Sequence, residues 1–290
     1  MKHARELKTG QSSICPACEN RTEFAFAKYG HSIMQCPACG NRSVAGLFDQ
    51  DHVASVYDDS YFFGGGAGYS DYLSEAQLLR DQGRRYGELL SRHSKNGRLL
   101  EVGSAAGFLQ AGMEDAGWAT TGLDPNQTMV SHARDTLGLN ALQGSLEDCK
   151  GLEPFDAVSL IQVIGHFHDL PKAMKSVADL TRPGGICVIE YWRLDSWMAR
   201  LMGKRWHEYS PPSVLHWFTR SGLDTLMRRH SFSVMDNGNP KKYISAGHAA
   251  SLLEHLLGSK IPVKPLRMLH PDAKIRYPSF DLEWRLYRRR

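Results

Sequence analysis

The 290-residue chain predicts an α/β fold, a largely parallel sheet with helices on both faces, with a small separate unit on its N-terminal side. Three observations lead there. Between residues 74 and 190, short apolar runs alternate with segments of helical spacing, the sequence form of a parallel sheet wrapped by helices. A glycine-containing turn follows the first of those runs, where open α/β sheets bind ligands. Four of the six cysteines fall in two identical CPAC units near the start of the chain.

Composition sets the class. Hydrophobic residues make up 42% and charged residues 23%, as in ordinary globular proteins. No run reaches the roughly 18–20 apolar residues needed to span a bilayer, and the opening MKHARELKTGQSS lacks the apolar core of a secretory signal, so a cytoplasmic protein is expected. The formal charge of +4 draws on Arg285 and the three terminal arginines, Arg288 to Arg290. A solvated tail explains that excess better than a nucleic-acid face, which concentrates its basic residues.

Taken in chain order, residues 12–47 form the first unit. Cys15-Pro-Ala-Cys18 and Cys36-Pro-Ala-Cys39 each place two thiols on one turn, and two such turns complete a tetrahedral zinc site. Four thiolates leave no open coordination position for water, so the predicted zinc is structural. Residues 48–73 follow as a linker or lid rich in Gly, Tyr and Asp. Two readings of its Tyr61 and Phe62 stay open: a cover for a site, or packing on the main domain.

The main domain is placed at 74–290. A helix is expected over 74–93 with Ser74 as its N-cap, then a strand at 99–102, a helix at 108–116 and a strand at 120–123. A helix at 127–137, strands at 141–143 and 157–161, a helix at 171–180 and a strand at 186–189 continue the alternation. The rhythm breaks at about 192–219, an aromatic-rich insertion suited to roofing a substrate pocket. A helix at 220–230, a strand at 233–236, a helix near 249–257 and an alternating segment at 280–287 close the chain.

The turn after the first strand reads Glu101-Val102-Gly103-Ser104-Ala105-Ala106-Gly107. Ala105 and Phe108 break the G-x-G-x-x-G spacing, which disfavours a pyrophosphate-bearing dinucleotide. The pattern instead resembles the acidic-x-Gly-x-Gly-x-Gly loop of class I S-adenosylmethionine methyltransferases, with Ala105 in place of the middle glycine. Further matches follow in order over about residues 70 to 235. Asp124 ends the second strand before Pro125, Gly144-Ser145-Leu146-Glu147-Asp148 follows the third, and Leu160 to Asp169 resembles a segment often written HVLEH, with Gln162 and Gly165 replacing its first His and its Glu. Arg182-Pro183-Gly184-Gly185 precedes the fifth strand as the family's PGG turn does.

That resemblance implies a Rossmann-like methyltransferase sheet with an antiparallel last strand. It implies that S-adenosylmethionine is held by Glu101, Gly103, Ser104, Ala105, Gly107, Asp124, Pro125, Ser145, Leu146, Glu147 and Gln162, with Asp124 accepting from both ribose hydroxyls. The segments Trp206-His207 and Pro211 to Thr219 resemble zinc-ribbon methyltransferases found with cell-surface sugar and glycan pathways.

The expected reaction is therefore methyl transfer to a small-molecule or glycan acceptor at a hydroxyl, with no nucleic acid and no membrane span among its partners. His166, just past the fourth strand, is the first candidate base, and His207 in the insertion the second, with His216 ranked beside it. Each has an alternative reading: His166 as a helix-start histidine, His207 and His216 as members of an aromatic packing cluster. Two other functions stay open, an RNA methyltransferase gripping nucleic acid with its ribbon and a non-catalytic cofactor-binding interaction protein.

Overall fold

The computed structural model describes residues 13–63, 72–241, 243–245, 274–276 and 279–290. The N-terminal unit is a ribbon: β1 (Glu23–Lys28) and β2 (His31–Gln35) form an antiparallel hairpin, and β3 (Arg42–Val44) pairs antiparallel with β2. The hairpin reverses at Tyr29 and Gly30, both at positive φ. Two helices follow, α1 (Gln50–Val56), capped by the Asp49 side chain on the His52 N–H, and α2 (Asp59–Phe63).

The main domain runs α3 (Ala76–Ser91), β4 (Arg98–Val102), α4 (Phe108–Asp115), β5 (Ala119–Asp124), α5 (Gln127–Asp135), β6 (Ala141–Gln143), β7 (Phe155–Ile161), α6 (Leu170–Leu180) and β8 (Thr181–Trp192). After it come α7 (Trp197–Met202), β9 (His216–Trp217), α8 (Arg220–Arg229), β10 (Phe232–Gly238), β11 (Tyr243–Ser245), β12 (Lys274–Arg276) and β13 (Leu282–Arg289). Seven strands make one sheet in the order β10-β13-β8-β7-β4-β5-β6. The pairings from β6 through β8 are parallel, and β13 runs antiparallel to both of its neighbours. Every residue of the central β7 is buried, as a strand covered on both faces requires. Chain order reverses at β4, with β5 and β6 on one side and β7 and β8 on the other, so a crevice opens at the carboxyl ends there.

Several expectations are corrected. Ser74 lies within a 3-10 turn, Leu73–Glu75, and no side chain caps α3. The fifth strand of the sequence reading starts at Thr181, so Arg182 to Gly185 fall inside β8. The helix anticipated near 249–257, and the three glycines at 64–66, lie outside the described residues. Phe62 is buried, edge-on to Tyr72 at 5.6 Å, and Tyr72 stacks on Phe108 of α4 at 5.8 Å, so this part of the linker packs on the domain. Asn126, the N-cap of α5, donates to the Tyr57 carbonyl (3.0 Å) and to Asp59 (3.1 Å), tying α1 and α2 to the first turn of α5.

The ribbon is not a detached module. β9, from the 192–219 insertion, pairs antiparallel with β3, completing a four-stranded sheet in the order β1-β2-β3-β9. Phe26, Trp206, Tyr209 and Trp217 are buried together in its core, and Cys15, Cys36 and Cys39 share an apolar cluster with Leu223, Leu226 and Met227 of α8.

Glycines set the contact between α3 and α4. A Cβ on Gly83 would stand 2.0 Å from the Leu109 carbonyl oxygen, and one on Gly112 would stand 2.0 Å from that of Arg80. Alanine normally favours a helix by about 1 kcal/mol over glycine, but separating these backbones costs about 1–3 kcal/mol or more. Gly83→Ala is therefore expected to lower the thermal midpoint, and an unchanged or raised midpoint in a melting curve would contradict the close packing.

Candidate active site

The crevice beyond β4, β5 and β7 is a cavity of 460 Å³, within the usual range for small-molecule sites. Its lining includes Gly103, Ala105, Asp124, Pro125, Ser145, Leu146, Glu147 and Gln162, together with Tyr57, Tyr61, His166, Trp192, His207 and Glu208. Of the donor-binding residues expected from sequence, Glu101, Ser104 and Gly107 lie off the cavity wall.

The loop after β4 owes its shape to left-handed backbone at Gly103 (φ 71°), Ala105 (φ 45°) and Gly107 (φ 83°). The N–H groups of Gly103 and Ser104 both donate to the Leu123 carbonyl, at 2.7 and 3.2 Å, pinning the loop to β5. A Cβ at position 103 would meet Val163 at 2.3 Å, and one at 107 would meet Leu139 at 2.6 Å, so both glycines are required by packing within the protein. Ala105 holds its left-handed conformation with a Cβ, at a strain of about 1 kcal/mol.

Asp124 is the hub. Its Oδ2 accepts from the Ala105 N–H at 2.8 Å and its Oδ1 from the Asn126 N–H at 2.9 Å. Burial pushes its carboxyl up to about 6, against the opposing pull of those two donors. The cap of α5 is the Asn126 side chain on the Met129 N–H (2.8 Å), so Asp124 is not spent on capping. Glu101 is buried beneath the loop, where desolvation and then the Asp124 charge drive its carboxyl well above the usual range. Its Oε2 and the Ser104 hydroxyl are buried without hydrogen-bond partners among the described residues.

Also in the cavity lining, the Tyr57 hydroxyl donates to the Ser213 carbonyl at 2.7 Å and lies 2.6 Å from His166 Nδ1, which is itself 2.8 Å from the same carbonyl. Burial lowers the His166 pKa, while the Ser213 and Gln162 carbonyls favour its protonated form. His207 lies at the rim, 3.5 Å from Glu208 and edge-on to Trp192 at 4.8 Å. His216 is turned away: its Nε2 meets the Phe167 carbonyl at 2.9 Å, burial holds it down to about 4, and it does not line the cavity.

Sequence reading missed a buried carboxylate, Glu190 of β8. It accepts from Gln162 Nε2 at 2.6 Å, from Gln82 Nε2 at 3.4 Å and from the Tyr86 hydroxyl. The signal was available, an acid inside the apolar run Ile186 to Trp192. Gln82 and Gln162 both line the cavity, so Glu190 fixes two of its amides from behind.

Apart from the cavity, the four Sγ atoms of Cys15, Cys18, Cys36 and Cys39 lie within 4.8 Å of one another, with Cys15 to Cys39 at 3.7 Å and Cys18 to Cys36 at 3.4 Å. A tetrahedron of thiolates at the zinc–sulfur distance of about 2.3 Å has edges of about 3.8 Å, so the donor set fits one zinc ion.

A carboxylate at the end of β5, a tight loop with no pyrophosphate cradle, and an unpartnered acid beneath it suit a nucleoside ligand that presents a ribose diol. The sequence profile of the Methyltransferase domain family matches residues 73–237, more than half the chain. The chain belongs to that family. This methyltransferase is 30% identical to the dTDP-3-amino-3,4,6-trideoxy-alpha-D-glucopyranose N,N-dimethyltransferase of Streptomyces venezuelae over 217 residues, 71% of this chain and 85% of that protein. It is 30% identical over 98 residues to the ubiquinone biosynthesis O-methyltransferase of Caulobacter vibrioides, a match spanning 31% of this chain and 39% of that one. Among solved structures, the magnesium protoporphyrin IX methyltransferase of Synechocystis PCC 6803 with bound SAH superposes with a TM-score of 0.54 at 12% identity, covering 83% of this chain and 100% of that one, a likeness of fold. The protein is thus an S-adenosylmethionine-dependent methyltransferase, with the seven-strand sheet and antiparallel last strand of that fold. Among the described residues no helix is long and apolar enough to cross a membrane.

Proposed function

We propose that this methyltransferase methylates a hydroxyl of a small-molecule or glycan acceptor, with Asp124, Gly103, Ala105 and the 144–147 turn holding the donor and the Tyr57, His166 and 207–214 side receiving the acceptor. When bound, S-adenosylmethionine supplies a methyl group already activated by its sulfonium, so positioning the acceptor provides much of the acceleration. The observation that carries the hydroxyl reading is His166: a half-buried imidazole in the cavity wall, its pKa lowered by desolvation, with two backbone carbonyls placed to stabilise it once protonated. A base is optional in such a transfer, and one placed to take the proton of a hydroxyl as it is methylated contributes typically about 10²–10⁴-fold. Tyr57 and the Ser213 carbonyl fix the ring, and Tyr61 and Trp192 offer aromatic faces of the kind that sugars and rings pack against.

The four cysteines are read as a structural zinc site, closed to substrate. The nucleic-acid alternative has less support, because two of the ribbon's few basic residues are engaged: Lys28 donates to the Trp206 carbonyl (3.3 Å), and Arg42 binds Gln35 and the Tyr209 hydroxyl.

Labelled methyl transfer from S-adenosylmethionine into a fractionated cell extract tests the acceptor class directly. Label appearing only in RNA or protein fractions would overturn the small-molecule and glycan reading. His166→Ala is expected to lower turnover about 100-fold, in the range of lost acid–base catalysis, while donor affinity by calorimetry stays within about twofold. Unchanged turnover would remove His166 from the chemistry.

A further inference from the structure

The ribbon and the acceptor side of the cavity are joined at one short segment, residues 213–219. On the ribbon side, the Asn41 side chain, buried just beyond the second cysteine knuckle, accepts the Thr219 N–H at 2.9 Å, and the Thr219 hydroxyl donates to the Cys39 carbonyl at 2.7 Å. Residue 222 is glycine, and a Cβ there would lie 1.9 Å from Asn41 Oδ1, so the close approach of Asn41 depends on that glycine. The Val44 N–H then donates to the Leu215 carbonyl at 2.9 Å. On the cavity side, the Leu215 N–H donates to the Gly165 carbonyl at 2.8 Å, and the Ser213 carbonyl seats both Tyr57 and His166.

β9 itself has two residues, paired as Arg42 with Trp217 and Ser43 with His216. So short a ladder is marginal on its own, and a slip of one residue would exchange its two faces, moving Trp217 out of the core and His216 away from Phe167. Bonds outside the ladder hold this segment, among them the Leu194 N–H on the Phe218 carbonyl at 2.9 Å and, on the ribbon side, the Asn41 bond to Thr219. The donor loop is fixed by other means, through Leu123 and Asp124 of β5.

We propose that Asn41 is a positioning residue of the acceptor side, the point through which the cysteine ribbon sets residues 213–219 and, with them, the carbonyl that seats His166 and Tyr57. The proposal rests on reading that wall as the acceptor side. It gives the ribbon a part in the reaction beyond holding itself together: the metal unit acts on acceptor geometry and leaves donor binding alone.

The test uses the full-length protein as purified, comparing wild type with Asn41→Ala, Asn41→Asp and Gly222→Ala. Three quantities are read: S-adenosylmethionine affinity by calorimetry, amide hydrogen exchange at Val44 and Leu215, and the titration of His166 by NMR. Asn41→Ala and Gly222→Ala are expected to speed exchange at both amides at least tenfold and to shift the His166 midpoint away from its wild-type value, with donor affinity within twofold of wild type. Asn41→Asp keeps the accepting oxygen and is expected to restore wild-type behaviour. Unchanged exchange and titration in both disruptive variants, failure of Asn41→Asp to rescue, or a parallel loss of donor affinity would each overturn the proposal. If Asn41→Ala does not fold, Gly222→Ala reads the same contact from the other side. None of the three readouts uses an acceptor, so a wild-type protein that methylates no hydroxyl would overturn the acceptor reading and leave this outcome standing.

Discussion

Asp124→Ala is expected to weaken S-adenosylmethionine binding at least 100-fold, about 2.7 kcal/mol, in a calorimetric titration. Two losses combine. The carboxylate faces the cavity where a ribose diol would donate to it, and it also holds the Ala105 and Asn126 N–H groups. Without it those two buried donors lose their partner, at about 1–3 kcal/mol each, and the left-handed turn at Ala105 loses its brace. Asp124→Asn retains one accepting oxygen and should fall between the two. Affinity within threefold of wild type in Asp124→Ala would show that the donor is held elsewhere.

The same residue gives opposite pH trends for stability and for binding. Its pKa is raised from 3.8 to about 6 by burial, so the unliganded fold binds this proton more tightly than the unfolded chain does. The resulting stabilisation, about 3 kcal/mol at most, is fully present below pH 3.8 and is lost as pH rises through 6. Glu101 and Glu147 are shifted upward too, again by burial first. On the proposed role of Asp124, donor binding needs the carboxylate, so affinity should fall as pH drops below about 6. Calorimetry and thermal melts between pH 5 and 7.5 check both slopes, and parallel slopes would contradict the assignment.

The second large effect is expected from the ribbon. On the proposed zinc site, Cys36→Ser removes one of four thiolate ligands, and the metal content measured by atomic absorption should fall from the expected one zinc per chain toward zero. Structural zinc contributes on the order of 10 kcal/mol to small zinc domains. Because Cys15, Cys36 and Cys39 are buried with Leu223, Leu226 and Met227, the loss should spread into α8 and lower the main melting transition by more than about 10 °C. Cys149→Ser, at a half-buried thiol outside the cluster, is the control and should shift stability by less than about 0.5 kcal/mol. Equal effects of the two substitutions would argue against a metal.

Much of the α/β domain was legible because each of its elements carries its own period. The helix expected at 127–137 is α5, ending two residues early, and the strand at 157–161 is β7, starting two residues earlier. The β8 boundary was hidden because Arg182-Pro183-Gly184-Gly185 has turn chemistry, while pairing of Thr181 with Phe155 draws it into the strand. In the site, Gly103, Ala105 and Asp124 could be placed from local order alone. That Gly107 and Ser104 lie under the loop could not, since it depends on Leu139 and Gly122 from distant segments. The meeting of Tyr57 with His166 and of β3 with β9 left no periodic trace: each joins one or two residues far apart in the chain.

That last pairing bears on how the protein is made. Asn41 and Thr219 are 178 residues apart, so at about 5–20 residues per second the ribbon waits roughly 10–35 s after leaving the ribosome before its fourth strand exists. Throughout that interval the outer edge of β3 is an open hydrogen-bonding row, a template on which a neighbouring nascent chain can pair. Early metal capture shortens the exposure only in part, since it orders the knuckles without covering that edge. Yield in cells should therefore depend on elongation reaching residue 219 without pause, and on chaperones that shield an unfinished sheet.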